Sequence, residues 1–302
     1  MKAYTIFDDF PQSSISLLEK VGIELTIQPK GKERPQGDEL KKLLDTYDIV
    51  FISTAQKMPE EMFADVTTPK IIGTASSGID HIHIPEDKKG LIRIANATHA
   101  NRSTVTEHTF ALILALRKQL LEGRETSAKG LSKKVMKGKP VDLLGSTFGV
   151  IGAGGIASTV LRMGKCFGMR CLSWTLHPES HQELRDEGVE FVSVEELVSN
   201  SDIISVNIPM SDITKNLINS ERVAMMKDTA TFVTTSRLEI TDNKALLNKA
   251  CSCPTFSVGM DVDAAGILGL WDPNLNNVII TPHIGGGTIE SRIRLFNECC
   301  EM

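Results

Sequence analysis

The passage Phe148-Gly149-Val150-Ile151-Gly152-Ala153-Gly154-Gly155-Ile156-Ala157 constrains this chain more than any other. An apolar, strand-like run enters a GxGxxA turn, and a helical pattern follows over Ile156–Phe167. In that context Gly152 permits a tight turn, and Gly154 lets the backbone approach a pyrophosphate. The small Ala157 lets the helix pack close to the strand. The helix start at Gly155 and Ile156 offers free N–H groups and the positive end of its dipole to phosphate. The plain alternative is a glycine-rich turn in an ordinary sheet, and the strand–turn–helix context argues for dinucleotide binding instead.

The same fingerprint expects an acid about 20 residues on, to accept from a ribose hydroxyl of NAD. The second strand ends Ser173-Trp174-Thr175-Leu176-His177, so Thr175 stands at that position. No Arg lies beside it to grip a 2′-phosphate, and the nearest basic candidate is His177. NAD and NADP both stay open, with NAD favoured because nothing strongly cationic is present.

Around this unit, short Val- and Ile-rich runs alternate with amphipathic stretches. The first series has strand-like runs at Tyr4–Phe7, Glu24–Ile27, Ile49–Ser53, Ile71–Thr74 and Leu91–Ala95, with helix-like segments such as Ser14–Val21 and Glu39–Leu44. A long helix is expected over Ser103–Leu121, and Glu122–Pro140 reads as a surface arm or linker without periodicity. The second series has strands at Thr147–Ile151, Arg170–Trp174, Ile203–Ile208, Ala230–Thr235, Thr255–Val262 and Val278–Thr281. Its helices are Ile156–Phe167, Val194–Val198, Ser220–Met226 and Asn243–Ala250. Alternation of this kind predicts α/β architecture with parallel sheets and right-handed crossovers. A length of 302 residues suits two such domains.

Composition narrows the function classes. The net charge of −5 presents no basic surface for nucleic acid or anionic lipid. No run approaches ~18 apolar residues, so no membrane span is expected. The N-terminus MKAYTIFDDF has no signal-peptide pattern, and six dispersed cysteines read as reduced thiols in a cytoplasmic protein. His81 and His83 stand two apart on a strand-like DHIHI and would share a face. They have no cysteine or carboxylate set beside them, and no metal site is expected.

Two residues after strands carry possible chemistry. Arg237 follows Thr231–Ser236, and its planar fork matches a carboxylate, although a salt-bridging surface Arg reads the same way. His283 follows Val278-Ile279-Ile280-Thr281-Pro282 and precedes Gly285-Gly286-Gly287. It is either a proton-exchanging imidazole or a satisfied structural one. Asp261 ends another strand, as a cap or an acceptor for an amide ligand. Gln56, Lys57 and Arg102 are candidates for contact with a substrate side chain, or equally for surface positions.

Several segments together resemble the D-isomer-specific 2-hydroxyacid dehydrogenases. Gly73-Thr74-Ala75-Ser76-Ser77-Gly78-Ile79-Asp80 is similar to the family's substrate-carboxylate loop, and Ser103–Thr109 to its SVAEHT helix start. Leu144–Ala157 matches LGKTLGIIGLGRIG, and Ser201–Pro209 resembles SDVVSLHLP. Met226–Asp242 resembles MKPGAxLVNTARGxxVDE, and Thr281–Gly286 matches TPHIGG. The resemblance implies two flavodoxin-like and Rossmann-like βαβ domains with a cleft between them. Residues 1–99 plus 284–302 would bind substrate, and 100–283 would bind the dinucleotide.

It also implies an oxidoreductase moving a hydride between NAD, or NADP, and a 2-hydroxy or 2-keto acid. Ser76, Ser77 and Gly78 would hold the substrate carboxylate. Arg237 would stabilise the carboxylate and keto oxygen, and His283 would protonate the alkoxide. Thr104, Pro209, Thr235 and Asp261 would face the cofactor, with Asp261 on the nicotinamide carboxamide. A homodimer through the cofactor domain, with Glu122–Pro140 as its arm, is implied as well.

The family's DVFxxEP segment carries a Glu that pairs with the catalytic His. Here Asp261-Val262-Asp263-Ala264-Ala265-Gly266 places Gly266 on that Glu, or Asp263 if a gap intervenes. Leu238 replaces the Gly after the catalytic Arg, Thr234 the usual Asn, and Asn207 the usual His. The family's C-terminal helix is left only about 288–301. The competing reading is a catalytically impaired, dinucleotide-sensing binding protein on the same fold. A third is hydride chemistry that needs no acid–base pair.

Overall fold

The computed structural model describes residues 1–301. It divides into two compact units, Met1–Asn101 with the C-terminal segment from Thr288, and Arg102–Gly287. These boundaries lie a few residues from the 99/100 and 283/284 positions expected from sequence.

The first unit contains β1 (Lys2–Thr5), α1 (Gln12–Lys20), β2 (Glu24–Ile27), α2 (Gly37–Thr46), β3 (Ile49–Ile52), β4 (Lys70–Thr74) and β5 (Ile92–Asn96). Its strands are all parallel, in the order β2-β1-β3-β4-β5, the flavodoxin-type arrangement. Strand β3 reads IVFI and is buried at every position, as a parallel strand covered on both faces must be.

The second unit contains α3 (Arg102–Arg117), α4 (Leu120–Ala128), β6 (Thr147–Ile151), α5 (Gly155–Cys166), β7 (Arg170–Trp174), α6 (Gln182–Asp186) and β8 (Glu190–Phe191). It continues with α7 (Val194–Asn200), β9 (Ile203–Val206), α8 (Ser220–Met225), β10 (Thr231–Thr234), α9 (Asn243–Ser252), β11 (Ser257–Asp261) and β12 (Val278–Thr281). The sheet order is β12-β11-β10-β9-β6-β7-β8. The order reverses between β6 and β9, and ligands of open α/β sheets bind at such a switch point, beyond the strands' carboxyl ends. Helix α10 (Ile289–Glu301) then returns to the first unit. There Asn297 Oδ1 accepts from the hydroxyls of Ser13 and Ser14 at 2.8 and 2.7 Å, and Cys299 Sγ donates to the Thr74 carbonyl.

Several elements depart from the sequence pattern. The long helix breaks at Gln119, whose φ of 54° is left-handed, and α4 begins at the next residue. The arm is therefore partly helical. It is folded back by the Glu122 carboxylate, which accepts from the amides of Lys137 and Gly138 at 2.6 and 2.8 Å. The five-residue α6 and two-residue β8 were too short to show a period. His81 and His83 do not share a face. Ile82 makes only an isolated bridge to Met58, His81 is buried and His83 is exposed. No metal-binding cluster occurs among the described residues.

Candidate active site

The glycine turn lies between β6 and α5. Gly152 has a φ of +119°, which only glycine adopts freely, and its amide donates to the Trp174 carbonyl at 2.7 Å. A side chain there would strike the Asn207 carbonyl at the end of β9. Ala157 is fully buried under the sheet, with Val160 and Leu161 extending the same face. The amides of Gly154, Gly155, Ile156 and Ala157 find no acceptor among the described residues. Beside them lies a cavity of about 320 Å³, lined in part by Arg102, Gly154, Gly155 and Ser158. Unpaired amides at a helix N-terminus facing such a space fit the pyrophosphate of a dinucleotide.

Thr175 follows β7 and is half-buried. The nearest basic candidate, His177, is exposed and sits 3.3 Å from Glu179. Pro209 is exposed after β9, and Thr104 is buried in the first turn of α3. Thr235 accepts from Asn207 Nδ2 at 3.1 Å, and Asn207 in turn accepts from Ser205 Oγ at 2.6 Å. These bonds hold the ends of β9 and β10 together beside the turn.

Arg237 follows β10 and His283 follows β12, both at the carboxyl edge of this sheet. His283 has a φ of 54°, a left-handed conformation that a residue with a Cβ keeps only when its surroundings impose it. Asp261 imposes it. Its carboxylate, only 2 % exposed, accepts from Ile284 N at 2.8 Å and Gly285 N at 2.7 Å, the two amides after His283. Thr281 Oγ1 donates to it as well, at 2.5 Å, and His108 Nε2 lies within 3.0 Å of that same hydroxyl. Burial pushes the Asp261 carboxyl up, but the bonds from His108, Thr281, Gly285 and Ile284 outweigh it and hold the pKa at about 2. The residue therefore fastens the His283 loop.

The His283 pKa lies below the ordinary imidazole value. Partial desolvation is the main cause, the Arg237 charge adds to it, and Asp261 and Asp263 oppose it. Asp263 makes no hydrogen bond or ion pair with His283. Its carboxylate instead accepts from Ala265 N at 3.1 Å, capping the 3-10 turn Ala264–Ile267. The expectation that Asp263 replaces the family's Glu is corrected on this point: it reaches His283 only through its charge. Gly266 lies in the same turn, and a Cβ built there would come within 2.7 Å of Leu238 Cδ1. Two departures noted separately in the sequence thus form one exchange, in which leucine at 238 fills the space that a side chain at 266 would enter.

In the first unit, the segment after β4 forms a loop locked by its own hydroxyls. Ser76 Oγ donates to the Gly78 carbonyl at 2.7 Å, and Thr74 Oγ1 lies 2.9 Å from Ser76 Oγ. Asn96 Nδ2 donates to the Ser77 carbonyl, and Ser77 pairs with Asn101. The amides of Ser77, Gly78 and Ile79 find no acceptor among the described residues, which suits a carboxylate. Gln56 is buried, with its Oε1 accepting from Ser53, and so does not present a recognition surface. Sequence reading missed Arg102 at the phosphate turn, because only the fold brings residue 102 to residue 155.

Residues 110–285 match the model of the D-isomer specific 2-hydroxyacid dehydrogenase, NAD binding domain. The chain is 31% identical to a hydroxypyruvate reductase of Thermotoga maritima, over 94% of this chain and 91% of that protein. It is 28% identical to a glyoxylate reductase of Pyrococcus furiosus, over 93% of this chain and 85% of that one. Among solved structures, D-lactate dehydrogenase from Aquifex aeolicus, complexed with NAD and lactic acid, superposes with a TM-score of 0.80 at 28% identity, covering 97% and 92% of the two chains. An acyclic imino acid reductase in complex with NADPH and D-Arg superposes at 0.85 with 26% identity, covering 99% and 94%. The chain belongs to the D-isomer-specific 2-hydroxyacid dehydrogenase family, oxidoreductases that move a hydride between a nicotinamide dinucleotide and a 2-hydroxy or 2-keto acid.

Proposed function

We propose that this enzyme reduces small 2-keto acids of the glyoxylate and hydroxypyruvate type, with Arg237 and His283 as its catalytic residues. The observation that carries this reading is their shared position: both follow strands of the sheet that bears the phosphate turn, close enough for the Arg237 charge to act on His283. A nicotinamide dinucleotide held at the Gly152–Ala157 turn would supply the hydride for carbon 2 of the substrate. Arg237 stabilises the negative charge developing on the keto oxygen. His283 holds a proton at a ring nitrogen and passes it to that oxygen. Asp261 keeps the His283 backbone in its left-handed conformation, and the amides of Ser77, Gly78 and Ile79 receive a substrate carboxylate. Gly152, Gly154, Gly155 and Ile156 hold the dinucleotide, with Thr104, Pro209 and Thr235 nearby. Thr175 carries no charge, so it attracts NAD less than an acid would and does not repel the 2′-phosphate of NADP.

We assign residues 102–287 as the dinucleotide domain and the remaining unit as the substrate domain. Leu120, Leu131 and Val135 expose 55%, 50% and 54% of their surface along the α4 arm, which supports a homodimer through this region. All six cysteines are free thiols, which supports a cytoplasmic location.

The test is absorbance at 340 nm with NADH and, separately, NADPH, across glyoxylate, hydroxypyruvate, pyruvate and phenylpyruvate. Oxidation with one of the first two is expected. Silence across the panel, with dinucleotide binding confirmed by Trp174 fluorescence, would favour the sensing reading. Light scattering that returns a monomer would remove the dimer.

A further inference from the structure

The family pattern GLGRIG writes Arg where this chain has Gly155. The space is not empty. The Arg102 guanidinium, from the first residue of α3, lies over Gly155, and a Cβ built there would overlap Nε and Cζ and come within 2.7 Å of a terminal nitrogen. Arg102 Nε is buried without a hydrogen-bond partner, and Arg102 makes no ion pair among the described residues. Arg162, the other guanidinium lining the cavity, is already held by Glu183 and Glu187 at 2.6 and 2.7 Å. Next to Arg102, a Cβ at Gly154 would meet nothing within 4 Å, so the approach to the helix N-terminus is open. A buried N–H without an acceptor is costly, and a phosphate oxygen satisfies it with a charge-assisted bond.

We propose that Arg102 is a dinucleotide-binding residue that supplies its guanidinium to the pyrophosphate at the Gly152–Ala157 turn, and that Gly155 is glycine to make room for it. The assignment rests on the dehydrogenase reading above. It also takes Arg102 away from the substrate, where sequence alone left it a candidate.

The experiment titrates NADH, NADPH and adenosine against wild type, Arg102→Ala and the double variant Arg102→Ala/Gly155→Arg, following Trp174 fluorescence and calorimetry. Loss of a charge-assisted bond predicts an NADH Kd raised roughly tenfold or more in Arg102→Ala. Adenosine, which lacks phosphate, should bind both proteins alike, and the double variant should recover most of the lost affinity. An NADH Kd within twofold of wild type overturns the proposal, as does an equal loss for adenosine. A loss confined to NADPH overturns it too, because the contact would then be to the 2′-phosphate. If wild type binds neither dinucleotide, the dehydrogenase reading falls together with this proposal. If only the variant fails to differ, the proposal alone falls.

Discussion

The carboxyl edge of the larger sheet holds two exchanges of side-chain volume with opposite electrostatic results. At the phosphate turn the family's Arg is absent from residue 155, and a guanidinium arrives from residue 102 to fill its place. At the proton-transfer end the family's Glu is absent from residue 266, and the apolar Leu238 fills its place. One region keeps its charge by another route, and the other loses it. A cation beside phosphate contributes in every protonation state of the enzyme. A carboxylate beside a catalytic imidazole sets the pH range of the reaction, so its loss can be tolerated by working at lower pH. Here desolvation and Arg237 both disfavour the imidazolium, with only the Asp261 and Asp263 charges opposing them.

The comparison breaks most directly at His283. His283→Ala removes the proposed proton donor and should lower kcat for keto-acid reduction by about 10²–10⁴-fold, with NADH affinity unchanged. Full activity in that variant would mean hydride chemistry without an enzymic acid. Arg237→Ala should cost about 10²–10³-fold in kcat/KM, and retained turnover would remove Arg237 from the site.

Asp261→Asn tests the clamp on the His283 loop. The carboxyl's pKa of about 2, against 3.8 as its ordinary value, corresponds to about 2 kcal/mol of stability. A depressed carboxylate pKa stabilises the fold above its unfolded value. That stability disappears as pH falls from about 3.8 towards 2. The variant should therefore melt several degrees lower at pH 7, and the difference should shrink at pH 3. A constant difference across that range would remove the ionised carboxylate from the explanation.

The smallest effect is the most informative about the exchange itself. With His283 as the proposed proton donor, kcat/KM should fall as pH rises through a midpoint below the ordinary imidazole value of about 6.5. Leu238→Gly/Gly266→Glu should move that midpoint upward by restoring the carboxylate. Gly266→Glu alone, crowded against Leu238, should cost about 1–3 kcal/mol in stability. A pH midpoint indifferent to the double change would show that residue 266 does not sense His283.

Local pattern carries far in this chain. Strands β2, β6, β7 and β12 have the limits read from sequence. The phosphate turn was legible because its strand, glycines and helix are contiguous, and their conformations are imposed by neighbours along the chain. Arg237 and His283 were legible through the segments around them. The break at Gln119 was not, since LRKQLLEG keeps its helical spacing through the break.

What sequence alone determined is therefore the alternation of strand and helix, the parallel sheets and the glycine turn, and it singled out Arg237 and His283 as the candidates for chemistry. The tertiary structure decided which distant side chains share a volume. It put Arg102 over Gly155, Leu238 against the Gly266 position and Asp261 beneath the His283 loop. Packing density is the physical reason: space left by one residue is filled by whichever side chain the fold brings there, and separation along the chain says little about which one that is.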